Sequence, residues 1–177
     1  MTADLIDILA DRAASRFYGK YRGVVVDNKD TTSRGRLQVK VPAVMADTPI
    51  WALPCVPYAG KSVGLFALPE PDTMVWVEFE AGNLDYPIWV GCFWADGEID
   101  SADAMPNVKF LKTKKFTLRI DDDSGEVSFE VSSGSTLKMT TLDFTAKGKT
   151  VTHETDGAKT VLDAASFDVN SGAFKVV

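Results

Sequence analysis

Histidine is almost absent from this 177-residue chain and cysteine nearly so, with one and two residues respectively. The single histidine, His153, has no second histidine near it with which to form a paired metal site. The cysteines, Cys55 and Cys92, sit inside apolar, strand-like runs. That placement points to reduced thiols buried as small hydrophobes rather than to a disulfide. Also missing is any apolar run near the roughly 20 residues that a membrane-crossing helix needs. A basic excess is missing too. With 19 Lys and Arg against 25 Asp and Glu the formal net charge is -6, which argues against a protein whose main partner is a polyphosphate. The opening Met1 to Ala14 carries Asp4, Asp7 and Asp11 where a secretory leader needs basic residues before an apolar core. Synthesis ending in the bacterial cytoplasm is the expectation. Release by lysis or by a secretion machine leaves no leader, so the final place of action stays open.

What is present is an ordinary hydrophobic share, 45%, enough for one domain of usual size or two small ones. Residues 1–16 place Leu5, Ile6, Leu9 and Ala13 at helical spacing, with acids early and Arg12 and Arg16 late, in keeping with the helix dipole. This predicts a short amphipathic helix, packed on its own barrel or docked to a partner. From 17 to 95 the texture changes to short Val-, Trp-, Tyr- and Phe-rich runs broken by Gly and Pro. Strands are expected near 18–28, 35–41, 51–57, 73–80 and 86–93, a set that suits a small OB-like barrel. The turn-forming stretch from Asp27 to Gly35 predicts a polar loop facing solvent or a neighbour. Residues 96–108, acidic and without pattern, are expected as a linker.

The remainder, 109–177, reads as strands with one apolar face. Phe116, Leu118 and Ile120 alternate with Thr117 and Arg119, and Val127, Phe129 and Val131 with Ser128 and Glu130. The alternation returns at Leu137 and Met139, Leu142 and Phe144, Phe167 and Val169, and Phe174 and Val176. Gly125, Gly134, Gly148, Gly157 and Gly172 are expected at turns, and both Gly125 to Gly148 and Gly134 to Gly157 span 23 positions, a weak repeat of stacked strands. Each short strand offers only two or three apolar side chains, so a single copy of this tail would leave a wet face and open edges. The remedy is for several copies to turn those faces to a shared axis. The expected fold class is therefore all-β, a barrel followed by a homotrimeric β-prism or β-helix spike.

The segments Gly19–Asn28, Gly35–Pro42, Trp51–Gly60, Trp76–Glu80 and Tyr86–Trp94 together resemble, in order, the OB domain of the phage baseplate spike family. That family comprises the baseplate assembly protein V group and its relatives, the T4 cell-puncturing protein and the VgrG spike. The likeness is carried by Gly23, Asp27, Gly35, Arg36, Pro42, Pro54, Trp76, Pro87, Trp89, Gly91 and Trp94. Asp30-Thr31 stands where the family often has Asp-Pro, and Pro71-Asp72 where it often has Gly-Asp, both in loops. The resemblance implies a mechanical role without catalysis or cofactor. The barrel would anchor a homotrimer to tail hub and baseplate proteins, and sheath contraction would drive the needle transiently into the target cell envelope. Some relatives close the tip with paired histidines around iron. Here no such pair exists, so no metal is expected. Phe174, Val176 and Val177 would instead gather at the far end, as a platform for a PAAR-like tip protein or as the last layer of the prism.

Other motifs carry little. Gly60-Lys61-Ser62 lacks the glycine that a phosphate loop needs five places earlier, where Cys55 stands. Asp121 to Glu126 resembles a calcium loop, but Ser132 holds the twelfth position and strands flank it, so a hairpin turn is expected. His153 with the many serines lacks a nucleophile elbow, and an outward-facing strand histidine is expected. Trp51, Trp76, Trp89 and Trp94 could stack bases, with Arg34, Arg36 and Lys40 on phosphates. A single-stranded nucleic-acid binder with an oligomerising tail is thus the alternative. The acidic balance favours barrel core and hub contacts instead, with no nucleic acid.

Overall fold

The computed structural model describes Ala10 and residues 15–177, so the expected N-terminal helix falls almost wholly outside the described residues. The chain forms two compact units, Met1–Glu98 and Ile99–Val177.

The first unit is a closed barrel of β1 (Tyr21–Asp27), β2 (Leu37–Lys40), β3 (Ile50–Pro54), β6 (Met74–Phe79) and β7 (Pro87–Cys92), in the order β1-β2-β3-β7-β6. A short helix, α1 (Pro42–Met45), follows β2, and a small hairpin of β4 (Ala59–Gly60) and β5 (Val63–Gly64) lies between β3 and β6. Strand β1 pairs with β6 through Tyr21–Val24 and with β2 through Val24–Asp27, bending at a bulge between Val25 and Asp27. Strands β3 and β7 run parallel, and all other pairs are antiparallel. This is the OB arrangement, in which closure removes the sheet edges. Alternation explains the core: Val25, Leu37, Val39, Val75 and Val77 point inward beside Val41, Ala52, Phe79 and Trp89. One end is closed by Phe17, Tyr21 and Phe79, packed edge to face with ring centroids 5.6–6.4 Å apart. Gly23 is required by crowding, since a Cβ there would stand 3.0 Å from the Lys40 carbonyl oxygen and 3.1 Å from Val77.

The thiols are a correction. Cys55 and Cys92 are free and exposed, not buried. Cys55 directly follows β3 and Cys92 is the last residue of β7, so each marks where a strand ends rather than its inward-facing middle. The Cys92 thiol is nonetheless pushed up by partial burial.

The second unit holds two antiparallel sheets. One is five-stranded: β8 (Val108–Lys112), β9 (Phe116–Asp121), β10 (Glu126–Val131), β11 (Thr136–Met139) and β12 (Phe144–Lys147), in sequence order. The other is four-stranded: β13 (Thr150–Thr155), β14 (Ala158–Asp163), β15 (Phe167–Val169) and β16 (Phe174–Val176). Gly125, Gly134, Gly157 and Gly172 all fall between consecutive paired strands, and Gly148 between the two sheets. The Asp121–Glu126 stretch is the hairpin turn of β9 and β10. Partial burial opposes the Asp121 carboxylate, yet hydrogen bonds from Asn107, the Ser124 and Asp123 amides and Arg119 hold it below the usual range. Residues expected as linker are tied to this sheet. Asp122 N–H donates to the Asn107 carbonyl at 2.9 Å, and Asp103 pairs with Lys112 at 2.9 Å.

Candidate assembly interface

Cross-strand register sorts the side chains of the five-stranded sheet. Leu111, Leu118, Phe129, Leu137 and Ala146 lie opposite one another from β8 to β12, and Ile120, Val127, Met139 and Phe144 form a second row two residues along. Side chains alternate along a strand, so both rows share one face. Lys109 is the charge in those rows, and its ammonium is drawn away to Asp122 and the Pro106 carbonyl. The opposite face carries Val108 and Phe110 of β8 and is otherwise polar and paired: Lys138 meets Glu126 at 2.5 Å, and Arg119 lies 3.3 Å from Asp121 and 3.8 Å from Asp103. Ser128, buried, stands beneath them.

The four-stranded sheet repeats the pattern. Val151, Leu162, Phe167 and Val176 form one row, and His153, Thr160, Val169 and Phe174 the next. Glu154, Lys159, Asp168 and Lys175 alternate to the other face. His153, expected as an outward-facing strand histidine, is exposed and lies on the apolar face, its Nδ1 3.2 Å from Thr160 Oγ1. Two of the three residues read as a tip platform, Phe174 and Val176, complete these rows. Val177 lies beyond the last strand and is 93% exposed.

Both apolar faces are open. Among the described residues every fully buried apolar side chain belongs to the barrel, and none to residues 99–177. Phe144 is 67% exposed and Leu111 58%, although the register brings each into an apolar row. A face so matched across strands and so uncovered is what a protein-protein contact requires.

The barrel's motif residues act mainly within the barrel. The Trp89 indole N–H donates to the Gly35 carbonyl at 3.2 Å inside the core, where Gly35 takes a φ of +71° that favours glycine. Pro54 pairs with Trp89 across β3 and β7, and buried Pro87 opens β7. Trp76 stacks on Phe93 at 4.6 Å, the Arg22 guanidinium covers both rings, and Gly91 stands opposite Trp76 beside a second bulge. Asp27 accepts the Lys29 amide at 2.9 Å, and Pro42 starts α1. Trp94 is exposed.

Two features escaped the sequence reading. Asp30 lies in the loop expected to be polar, and its side chain is only 3% exposed. Its carboxylate accepts from Arg36 at 2.8 and 3.0 Å, from the Thr32 hydroxyl and amide, and from the Arg34 and Arg36 amides. The Arg36 guanidinium above all holds this carboxyl far below the usual range. Arg36 also covers the Trp51 ring at 5.1 Å. The nucleic-acid alternative counted on Arg36, Trp51 and Trp89 as contacts, yet they are engaged with Asp30, with each other and with the core. The second feature is an open apolar groove of about 480 Å³. Exposed Tyr58, Val63, Leu65 and Phe66 wall it, and Pro54, Gly35 and Trp89 also line it. The unalternating run Leu65 to Leu68 between Gly64 and Pro69 was its sequence signal. Among the described residues no three His, Cys, Asp or Glu side chains gather as a metal site.

Residues 21–94, which contain every strand of the barrel, match the type VI secretion system/phage-baseplate injector OB domain. No curated protein matches the chain.

Proposed function

We propose, from the match of residues 21–94 to the type VI secretion system/phage-baseplate injector OB domain, that this chain is the central spike subunit of a contractile injection machine. Its role is structural, in a phage tail or related injection particle beside baseplate proteins. Three copies join through residues 109–177, the barrel anchors them to the tail hub, and sheath contraction drives the needle through the target envelope. The observation that carries the reading is the tail unit that buries no apolar side chain alone while aligning them in rows on one face of each sheet. Facing three such units toward a common axis covers the rows and lets open edge strands pair between chains. Backbone ladders continued between chains would give the stiffness that piercing needs. The open groove walled by Tyr58, Leu65 and Phe66 gives the barrel an apolar surface for the hub. Phe174, Val176 and Val177 form the last layer of the prism or a seat for a PAAR-like tip protein. Sedimentation equilibrium at micromolar concentration tests the assembly. Three chain masses are expected, and a monomer overturns the reading.

A further inference from the structure

The apolar face of the four-stranded sheet contains one titratable side chain. His153 stands opposite Thr160, in the row continued by Val169 and Phe174. Glu154, Lys159, Asp163, Asp168 and Lys175 all alternate to the other face, and Asp156 lies in the β13–β14 turn. No carboxylate on that face is therefore placed to pair with an imidazolium. His153 is also the only histidine in the chain, and imidazole is the side-chain type that most readily changes charge near neutral pH.

We infer that His153 makes the assembled tail pH-sensitive, tight while the imidazole is neutral and loosened once it is protonated. The inference rests on the three-chain reading above. Joining three apolar faces removes water from the imidazole, which makes its charged form costly, and places three like charges around one axis. Separated chains leave the side chain in water and bind the proton readily. Protons therefore favour separation. The trimer association constant therefore falls on acidification, by up to about 10³-fold per pH unit, one factor of ten for each chain.

Sedimentation equilibrium of the full chain at pH 8 and pH 5.5 is the test, with His153→Leu and His153→Gln beside the wild type. The upper pH leaves imidazole neutral and the lower one leaves ordinary carboxylates ionised. The expected result is a wild-type trimer that weakens at pH 5.5, while both variants hold the same mass at either pH. His153→Gln keeps a polar side chain beside Thr160, so it serves if His153→Leu fails to fold. A wild-type trimer that is indifferent to pH, or a variant trimer that still weakens at pH 5.5, overturns the role of His153 and leaves the trimer standing. A wild-type monomer at pH 8 overturns the three-chain reading itself.

Discussion

Asp30 organises its loop by accepting six hydrogen bonds from three residues, and this sets how the barrel responds to acid. A carboxyl held low in the folded state contributes stability that is fully present above the unfolded value near pH 4. That contribution is lost as pH falls through the lower folded value. Asp30→Asn is therefore expected to melt below the wild type at pH 7. The gap should narrow as pH drops below about 4, as followed by circular dichroism melts across pH. The Asp30 site was illegible in the sequence because its chief partner comes six residues later, through a turn whose path composition does not specify. Gly23, Gly35 and Trp89 were legible as members of a pattern, but the reasons for them were not. The crowding of Gly23 by the Lys40 carbonyl and the indole bond to Gly35 both join residues far apart in the sequence. The cysteines failed for a simpler reason: an apolar run marks a strand but not the residue at which the strand leaves the core.

The five barrel strands were legible because alternation and Gly/Pro punctuation agree there. In the tail, β9, β10 and the turns around their glycines were equally plain. Strands β13 and β14 were not, since Thr150 to Thr155 holds only Val151 as an apolar residue, and Val161 and Leu162 sit on opposite faces. The same lack of pattern hid the orientation of His153, which only pairing with Thr160 fixes. The faces themselves yield a contrast between neighbours. Phe144 is exposed and lies on the apolar face, whereas Thr145, opposite Lys138, lies on the polar one. Phe144→Asp should weaken trimer association by about 100-fold or more, because an unpaired carboxylate would be forced into the shared core at a cost of several kcal/mol. Thr145→Asp should leave the mass unchanged. Both are read by sedimentation velocity across a dilution series.

At the scale of the whole molecule the barrel holds all of the fully buried apolar side chains among the described residues, and the tail none. That a single tail closes no core was legible in the sequence, since each strand offers only two or three apolar residues. How the rows line up across strands was beyond it. Removing everything after Asp96 should leave a barrel with its β-structure but without stable trimers. Melting of the full chain should rise with protein concentration, and that of the truncated barrel should not. The asymmetry also orders events in time. Each barrel can mature as soon as its own strands have left the ribosome, while on the proposed three-chain assembly the tail behind it would wait for encounters among chains. If the tail assembles as proposed, the number of finished spikes would rise steeply with the pool of newly made chains, and the abundance of this subunit would act as a timer for needle formation.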